Sequence, residues 1–349
     1  MLVELGWDAR VAALYDDLVR NHAHRYVPGR VVRVERAACV VATDDGEHLA
    51  RAAVLPAVGD WVALDVGDGE AAVHGWIERW SELARRDPDA PRVQVLAANV
   101  DLVLMTVPGD RPSVARVERE TVLAWDSGAR PVIVLTKADL APADLASRLE
   151  TRLVGVDLLV TSSITGEGID EIASLLAPGR TAVLLGPSGA GKSTLVNALL
   201  GEDRLATADV RAGDARGRHT TTTRELIMLP GGGVLIDTPG LRSLGLIGDE
   251  AISAAFTDVE ELAASCRFRD CVHDGEPGCA VQAAVDDGAL DPARLESYRK
   301  LEREAAFERR RVDPLARQAE QQRWKQVHKA LRRAPTKRDE RRERGGRRR

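Results

Sequence analysis

The stretch GPSGAGKST, residues 186–194, limits what this chain can fold into more than any other. It matches the phosphate-cradling pattern G-x-x-x-x-G-K-[ST] without a mismatch. The apolar run TAVLL precedes it and the helical run KSTLVNALLG overlaps its end. Such a loop needs a buried strand that delivers it to a helix N-terminus, where backbone N–H groups and the helix end together attract phosphate. Gly186, Gly189 and Gly191 let those N–H groups approach phosphate oxygens, with Pro187, Ser188 and Ala190 between them. Lys192 is placed to reach the β- and γ-phosphates, as a binding and catalytic group, and Ser193 to ligate Mg2+, with Thr194 completing the motif. The loop implies a nucleoside triphosphate and an α/β sheet. It does not choose the base.

Three other strand-end runs supply the rest of a site. TKAD, residues 136–139, follows PVIVL. In GTPases a run of this type uses its aspartate to accept from guanine N1–H and the exocyclic amine, donors that adenine does not offer in that arrangement. Asp139 is therefore the expected guanine reader, with Lys137 along the base and Ala138 between them. Thr136 stands where asparagine is commoner, which predicts one amide contact fewer. TSSITGEG, residues 161–168, ends the next strand, and puts Ser162 and Ser163 where GTPases place a loop that contacts guanine O6. DTPG, residues 237–240, follows GVLI; Asp237 is expected to help hold Mg2+ and Gly240 to face the γ-phosphate. The order along the chain is base, base, phosphate, magnesium, whereas ordinary GTPases run phosphate, magnesium, base, base. The domain therefore reads as circularly permuted, a change that domains with close termini tolerate. One consequence is that the segment after DTPG runs directly into the C-terminal region.

The flanks read differently. The run WDARVAALYDDLVRNH is weakly helical, and residues 1–27 are expected as an N-terminal helical extension. Then GRVVRVER, ACVVAT, HLARAAVL, DWVALDV and AAVHGWIERW alternate, separated by DDGE, AVGD and GDGE. Five short strands in under about 60 residues suggest a small barrel, an OB-fold over 28–86. From residue 95 the strands become continuous apolar runs, as in a parallel sheet buried on both faces, and the GTPase domain is expected over 91–245. Residues 246–312 read as helical with a break at a Cys/His cluster, a clustering that favours a metal and makes a zinc-binding domain the expectation, and 313–349 as a partly disordered basic tail. That tail matters for charge. Residues 323–349 hold 13 Lys and Arg against three acidic residues, which leaves 36 against 51 in residues 1–322. A basic tail on an acidic body fits a nucleic-acid partner or a solubilising extension. No apolar run reaches the ~18–20 residues of a membrane span, and the first residues lack a signal-peptide pattern, so a cytoplasmic protein is expected. The fold class is thus multidomain α/β: an OB-fold β-barrel, a circularly permuted P-loop GTPase domain with a mostly parallel sheet, and a C-terminal helical zinc-binding domain.

With QVLAANVD (94–101), GRHTTTTREL (217–226) and CRFRDCVHDGEPGCAV (266–281), this motif order resembles the ribosome small subunit-dependent GTPase family, RsgA, from about residue 28 to 305. The resemblance implies a role in late maturation of the small ribosomal subunit, with GTP hydrolysis stimulated by that subunit. It also implies the subunit, its rRNA and GTP/GDP as partners, and a monomer. Cys266-x4-Cys271-x-His273-x5-Cys279 offers three thiolates and one imidazole with no open position, a set that suits structural Zn2+; a reduced buried cysteine group and a catalytic cysteine are the alternatives. Cys39, in an apolar strand, is expected as a core residue. Any of Thr220, Thr221, Thr222 and Thr223 is a candidate to complete the Mg2+ shell. Leu241 occupies the place where many GTPases carry a water-orienting glutamine, so slow unaided turnover is expected. The resemblance makes His219 a candidate catalytic replacement; contact with rRNA and packing of the switch are the other readings. Two functions from other classes stay open at this level: a nucleotide-gated RNA-binding protein with negligible turnover, and an ATP-dependent small-molecule kinase.

Overall fold

The structure, a computed structural model, describes residues 1–22, 26–35, 37–67, 69–86, 93–153, 155–205, 224–237 and 250–312. The chain starts with helix α1 (Ala9–Val19), capped where the Asp8 carboxylate accepts from Val11 N at 2.8 Å. Its buried face, Val11 and Tyr15, meets Trp7, whose ring stands edge-on to Tyr15 and to Trp61.

Five strands follow: β1 (Val27–Val34), β2 (Cys39–Thr43), β3 (Gly46–Arg51), β4 (Trp61–Asp65) and β5 (Ala71–Trp76). They pair in the order β1-β2-β3-β5-β4, and β4 pairs back onto β1, so the sheet closes into an OB-like barrel. The β3–β5 pair is parallel and the others are antiparallel. Period-2 alternation fills it: Val31, Cys39, Val41, Ala50, Val62 and Leu64 point inward and are fully buried. Cys39 is thus a core residue. A hairpin, β6 (Glu82–Arg86) with β7 (Val93–Ala98), leads from the barrel to the second sheet.

The second sheet is built from β8 (Leu102–Pro108), α2 (Val114–Asp126), β9 (Arg130–Thr136), α3 (Leu145–Arg152), β10 (Asp157–Val160), α4 (Ile169–Leu175), β11 (Thr181–Leu185), α5 (Lys192–Leu200), β12 (Arg224–Met228) and β13 (Val234–Asp237). Its order is β10-β9-β8-β11-β13-β12, parallel except for β12 against β13. Successive residues face opposite ways. Leu102, Leu104, Val132 and Val134 pack with Ile172, Leu195 and Val196 on one side, while Val103, Met105, Ile133 and Leu135 pack with Val117 and Leu149 on the other. The direction of strand succession reverses between β8 and β11, and ligands bind at such switch points, outside the carboxyl ends of the strands. The outer edge of β12 pairs with β1 (Arg33 opposite Glu225, Val34 opposite Arg224), so barrel and sheet are one hydrogen-bonded ribbon.

Two buried arginines hold the units together. Arg30, on β1, donates to Gly59 O, Leu5 O, Asn99 O and Thr181 Oγ1, tying the N-terminus and barrel to the base of β11. Arg294 does the same at the far side, among α6 (Glu250–Ala255), α7 (Thr257–Ala263), α8 (Ala280–Asp286) and α9 (Pro292–Val312), of which α6 and α9 pack on α2. Its guanidinium donates to Glu118 of α2 (3.1 Å), to both carboxylate oxygens of Asp258 and to Ala255 O at the end of α6 (2.8 Å). Glu118 is fully buried and also takes two N–H groups of Arg152. Breaking such a pair on one side leaves a buried charge uncompensated.

Candidate functional site

The phosphate loop leaves β11 where the sequence puts it. Gly186 has φ +140, and a Cβ there would lie 2.1 Å from Thr106 Oγ1, whose hydroxyl donates to Leu185 O. Only glycine lets the loop turn this close against β8. Gly189 and Gly191 also have positive φ, and α5 begins at Lys192, so the loop's N–H groups and the helix start share one concave edge. The Lys192 ammonium bends over that edge and donates to Gly186 O (2.9 Å) and Pro187 O (2.8 Å). Ser193 is half-buried at the first turn, and Ser188 and Thr194 are exposed.

The TKAD turn at the end of β9 is fastened to this loop. The Thr136 hydroxyl donates to Ala190 O at 2.7 Å. The hydroxyl in place of the commoner amide therefore ties the base-side turn to the phosphate loop. Lys137 is left-handed (φ 53) and its ammonium meets the Asp110 carboxylate at 3.0 Å. Ala138 N donates to Thr161 O, which fastens the turn to the end of β10. Asp139 is exposed, and one of its oxygens accepts the Ser162 hydroxyl at 2.7 Å. Ser162 itself is fully buried, and Ser163 is exposed beside it. Gly168 closes that loop; a Cβ there would be 2.0 Å from Val160 O.

Asp237 ends β13, in parallel register with β11, on the same edge as the phosphate loop. Burial raises its carboxyl above the usual carboxylate range; Glu225, opposite it on β12, adds to the rise and Lys192 opposes it. The Asn197 side chain, on α5, makes paired bonds to Leu205 N and O (2.8 and 2.9 Å), which fixes the chain just after the helix. His219, Thr220, Thr221, Thr222, Thr223, Gly240 and Leu241 lie outside the described residues, as does the 313–349 tail.

The second cluster is local. Cys266, Cys271, His273 and Cys279 bring their ligand atoms within 4.8 Å of one another. His273 Nδ1 lies 3.6 Å from Cys266 Sγ and 3.5 Å from Cys279 Sγ. Three soft sulfurs and one imidazole converging this tightly suit a tetrahedral metal ion, and this group can hold one. The loop is pinned by Glu276, whose carboxylate accepts from Val272 N (3.1 Å) and Asp274 N (2.7 Å), and by Arg267 N donating to Gly278 O. Sequence reading passed over Glu276, Asp110 and the side-chain role of Ser162. For Glu276 a signal existed, a carboxylate inside a ligand loop with backbone N–H groups to satisfy.

Against known proteins, the RsgA GTPase family profile matches residues 76–247. The small ribosomal subunit biogenesis GTPase RsgA of Streptomyces coelicolor is 48% identical over 319 residues, covering 87% of this chain and 86% of that one. The protein of the same name from Opitutus terrae is 43% identical and covers 95% and 97%. Among solved structures, YjeQ from Thermotoga maritima superposes with a TM-score of 0.60 at 27% identity, covering 80% of this chain and 98% of that one. YloQ, described as a circularly permuted GTPase, gives 0.58 at 27% identity, with 82% and 98% covered.

Proposed function

The chain belongs to the RsgA GTPase family, and on that premise we propose that it hydrolyses GTP to GDP and phosphate in the maturation of the small ribosomal subunit. The observation that carries the nucleotide reading is the pair of 2.7 Å hydrogen bonds that join the strand ends: Thr136 to Ala190 O, and Ser162 to Asp139. They tie the phosphate loop to the base-reading turn, and that turn to the next strand end, on one edge of one sheet.

In this reading the N–H groups of 186–194 surround the phosphates and Lys192 neutralises charge on the β- and γ-phosphates. Asp139, held by Ser162, presents its second oxygen to guanine N1–H and the amine, with Lys137 along the ring. Ser193 and Asp237 would hold Mg2+, which would supply positive charge to offset that of the phosphates. A cation there also favours the ionised form of Asp237, against the desolvation that raises its pKa. His219 is proposed as the group that positions or accepts a proton from the attacking water. Cys266, Cys271, His273 and Cys279 would hold one structural Zn2+. The units we assign are an N-terminal extension (1–27), the OB-fold (28–86), the GTPase domain (91–245), the zinc-binding helical domain (246–312) and the basic tail (313–349). The barrel, zinc domain and tail contact rRNA, and hydrolysis loosens the contact and times release of a monomeric, cytoplasmic factor.

Phosphate release measured with and without small ribosomal subunits tests this, with Ser193→Ala and His219→Ala alongside. Stimulation by the subunit, lost in both variants, is expected. A rate unaffected by subunits would sink the ribosomal role, and full activity of His219→Ala would remove that residue from the mechanism.

A further inference from the structure

The turn between β8 and α2 carries two charged residues, Asp110 and Arg111, that the four motifs do not include. The turn is clamped to the base side of the site. Gly109 N donates to Thr136 O at 2.8 Å, and a Cβ on Gly109 would lie 2.6 Å from Lys137 O. Arg111 N donates to Pro108 O at 3.1 Å, which closes the turn and sets where residue 111 stands. From there the guanidinium reaches across to the phosphate loop: Nη2 lies 3.0 Å from the point a Cβ on Gly189 would occupy. Gly189 is the middle glycine of that loop, so a cation lies against the backbone that wraps the phosphates.

Asp110 stands behind both cations. Its carboxylate is 3.0 Å from Lys137 Nζ and 3.9 Å from Arg111 Nε. The longer distance is an ion pair without a hydrogen bond, which leaves the guanidinium fork available to a ligand. The Arg111 side chain is 62% exposed, so a nucleotide can reach it. Arginine suits the role because its planar fork matches phosphate oxygens, whereas a lysine offers only a point charge. Lys137 occupies the base side of Asp110, and Arg111 the phosphate side.

We propose that Arg111 is a nucleotide-binding residue, its guanidinium contacting the phosphates of the bound guanine nucleotide at the Gly189 flank of the loop. The inference rests on the guanine-nucleotide reading given above. The chain then brings two cations to the phosphates: Lys192 from within the loop and Arg111 from a neighbouring strand end. GDP and GTP both carry phosphates at that flank, so the contribution is shared between them and belongs to ground-state binding as much as to the transition state.

The test is binding of a fluorescent GDP analogue, and steady-state GTP turnover, for wild type, Arg111→Ala, Arg111→Lys and Arg111→Glu, at low and high salt. Arg111→Ala is expected to weaken the GDP analogue by about 5- to 20-fold, an exposed charge-assisted contact. The same loss should fall on KM for GTP rather than on kcat. Arg111→Lys should recover part of it and Arg111→Glu should lose more. The differences should shrink at high salt. Unchanged unfolding temperatures across the series separate this from a folding defect. Arg111→Ala and Arg111→Glu binding within about twofold of wild type would overturn the proposal while leaving the guanine reading intact. A wild type that binds no guanine nucleotide overturns both.

Discussion

The nucleotide site and the cysteine–histidine cluster are assembled in opposite ways. Residues of the first come from Thr136 to Asp237, from four strand ends, and the bonds that join one strand end to another link residues far apart in sequence. Their positions are set by buried strands whose order, β10-β9-β8-β11-β13-β12, does not depend on where the chain begins. Ligands of the second come from residues 266–279 and none sits on a strand. Their positions are set by one turn, two glycines at positive φ and the Glu276 carboxylate. A site made by a sheet survives shuffling of the chain and can lose a ligand-binding group without losing shape. A site made by a loop needs its metal to remain a site.

Metal removal should therefore produce the largest effect, and a local one. A structural Zn2+ contributes about 10 kcal/mol to the folding of small ligand loops. Chelation, or Cys271→Ser, should abolish amide-exchange protection over 264–290 and cut bound zinc to none, while GDP affinity stays within about twofold. A matching loss of GDP affinity would mean that the two regions are not separate. Glu118→Ala comes next, because Glu118 sits in the joint between them. Removing the carboxylate that Arg294 and half-buried Arg152 share leaves Arg294 to Asp258 and Arg152 to Asp291, and should cost about 3 kcal/mol, read as an unfolding transition of α6–α9 that separates from that of the sheet. A single cooperative transition would show that the joint does not hold them. Lys192→Ala should weaken GTP by about two orders of magnitude, the loss of charge-assisted contacts to phosphate, with little change in unfolding temperature. Ser162→Ala is the smallest: a freed Asp139 oxygen should cost about 1 kcal/mol in GDP affinity, while ADP binding is unmoved.

The sheet and the cluster were legible in the sequence for the same reason: each rests on short-range patterns. Apolar runs ending in glycine or polar residues gave the strand ends, and three cysteines with one histidine in 14 residues gave the cluster. Five alternating runs foretold the barrel, although the hairpin of β2 and β3 turns on Asp44–Asp45 rather than on an Asp-Gly pair, with Thr43 opposite Gly46. The joints were not legible. β12 meets β1 through Arg33, Val34, Arg224 and Glu225, three of them charged residues that carry no edge-pairing pattern. Arg30 and Glu118 carry no local sign of burial, yet both are buried, with partners up to 176 residues away. Thr136 was legible as an unusual residue and not as a tether, since its acceptor, Ala190 O, is 54 positions distant.

In the proposed reading, turns scattered along the chain meet on one guanine nucleotide. Competition among GDP, ADP and xanthosine diphosphate, for wild type and Asp139→Asn, tests it most directly. A carboxylate matched to guanine's two donors should favour GDP over ADP by at least about 100-fold, because a rejected base leaves those groups unpaired. Asp139→Asn offers an amide donor to the second carbonyl of xanthine, so it should shift preference from GDP to xanthosine diphosphate. Equal binding of ADP and GDP by the wild type, or an unchanged preference in Asp139→Asn, would contradict the account.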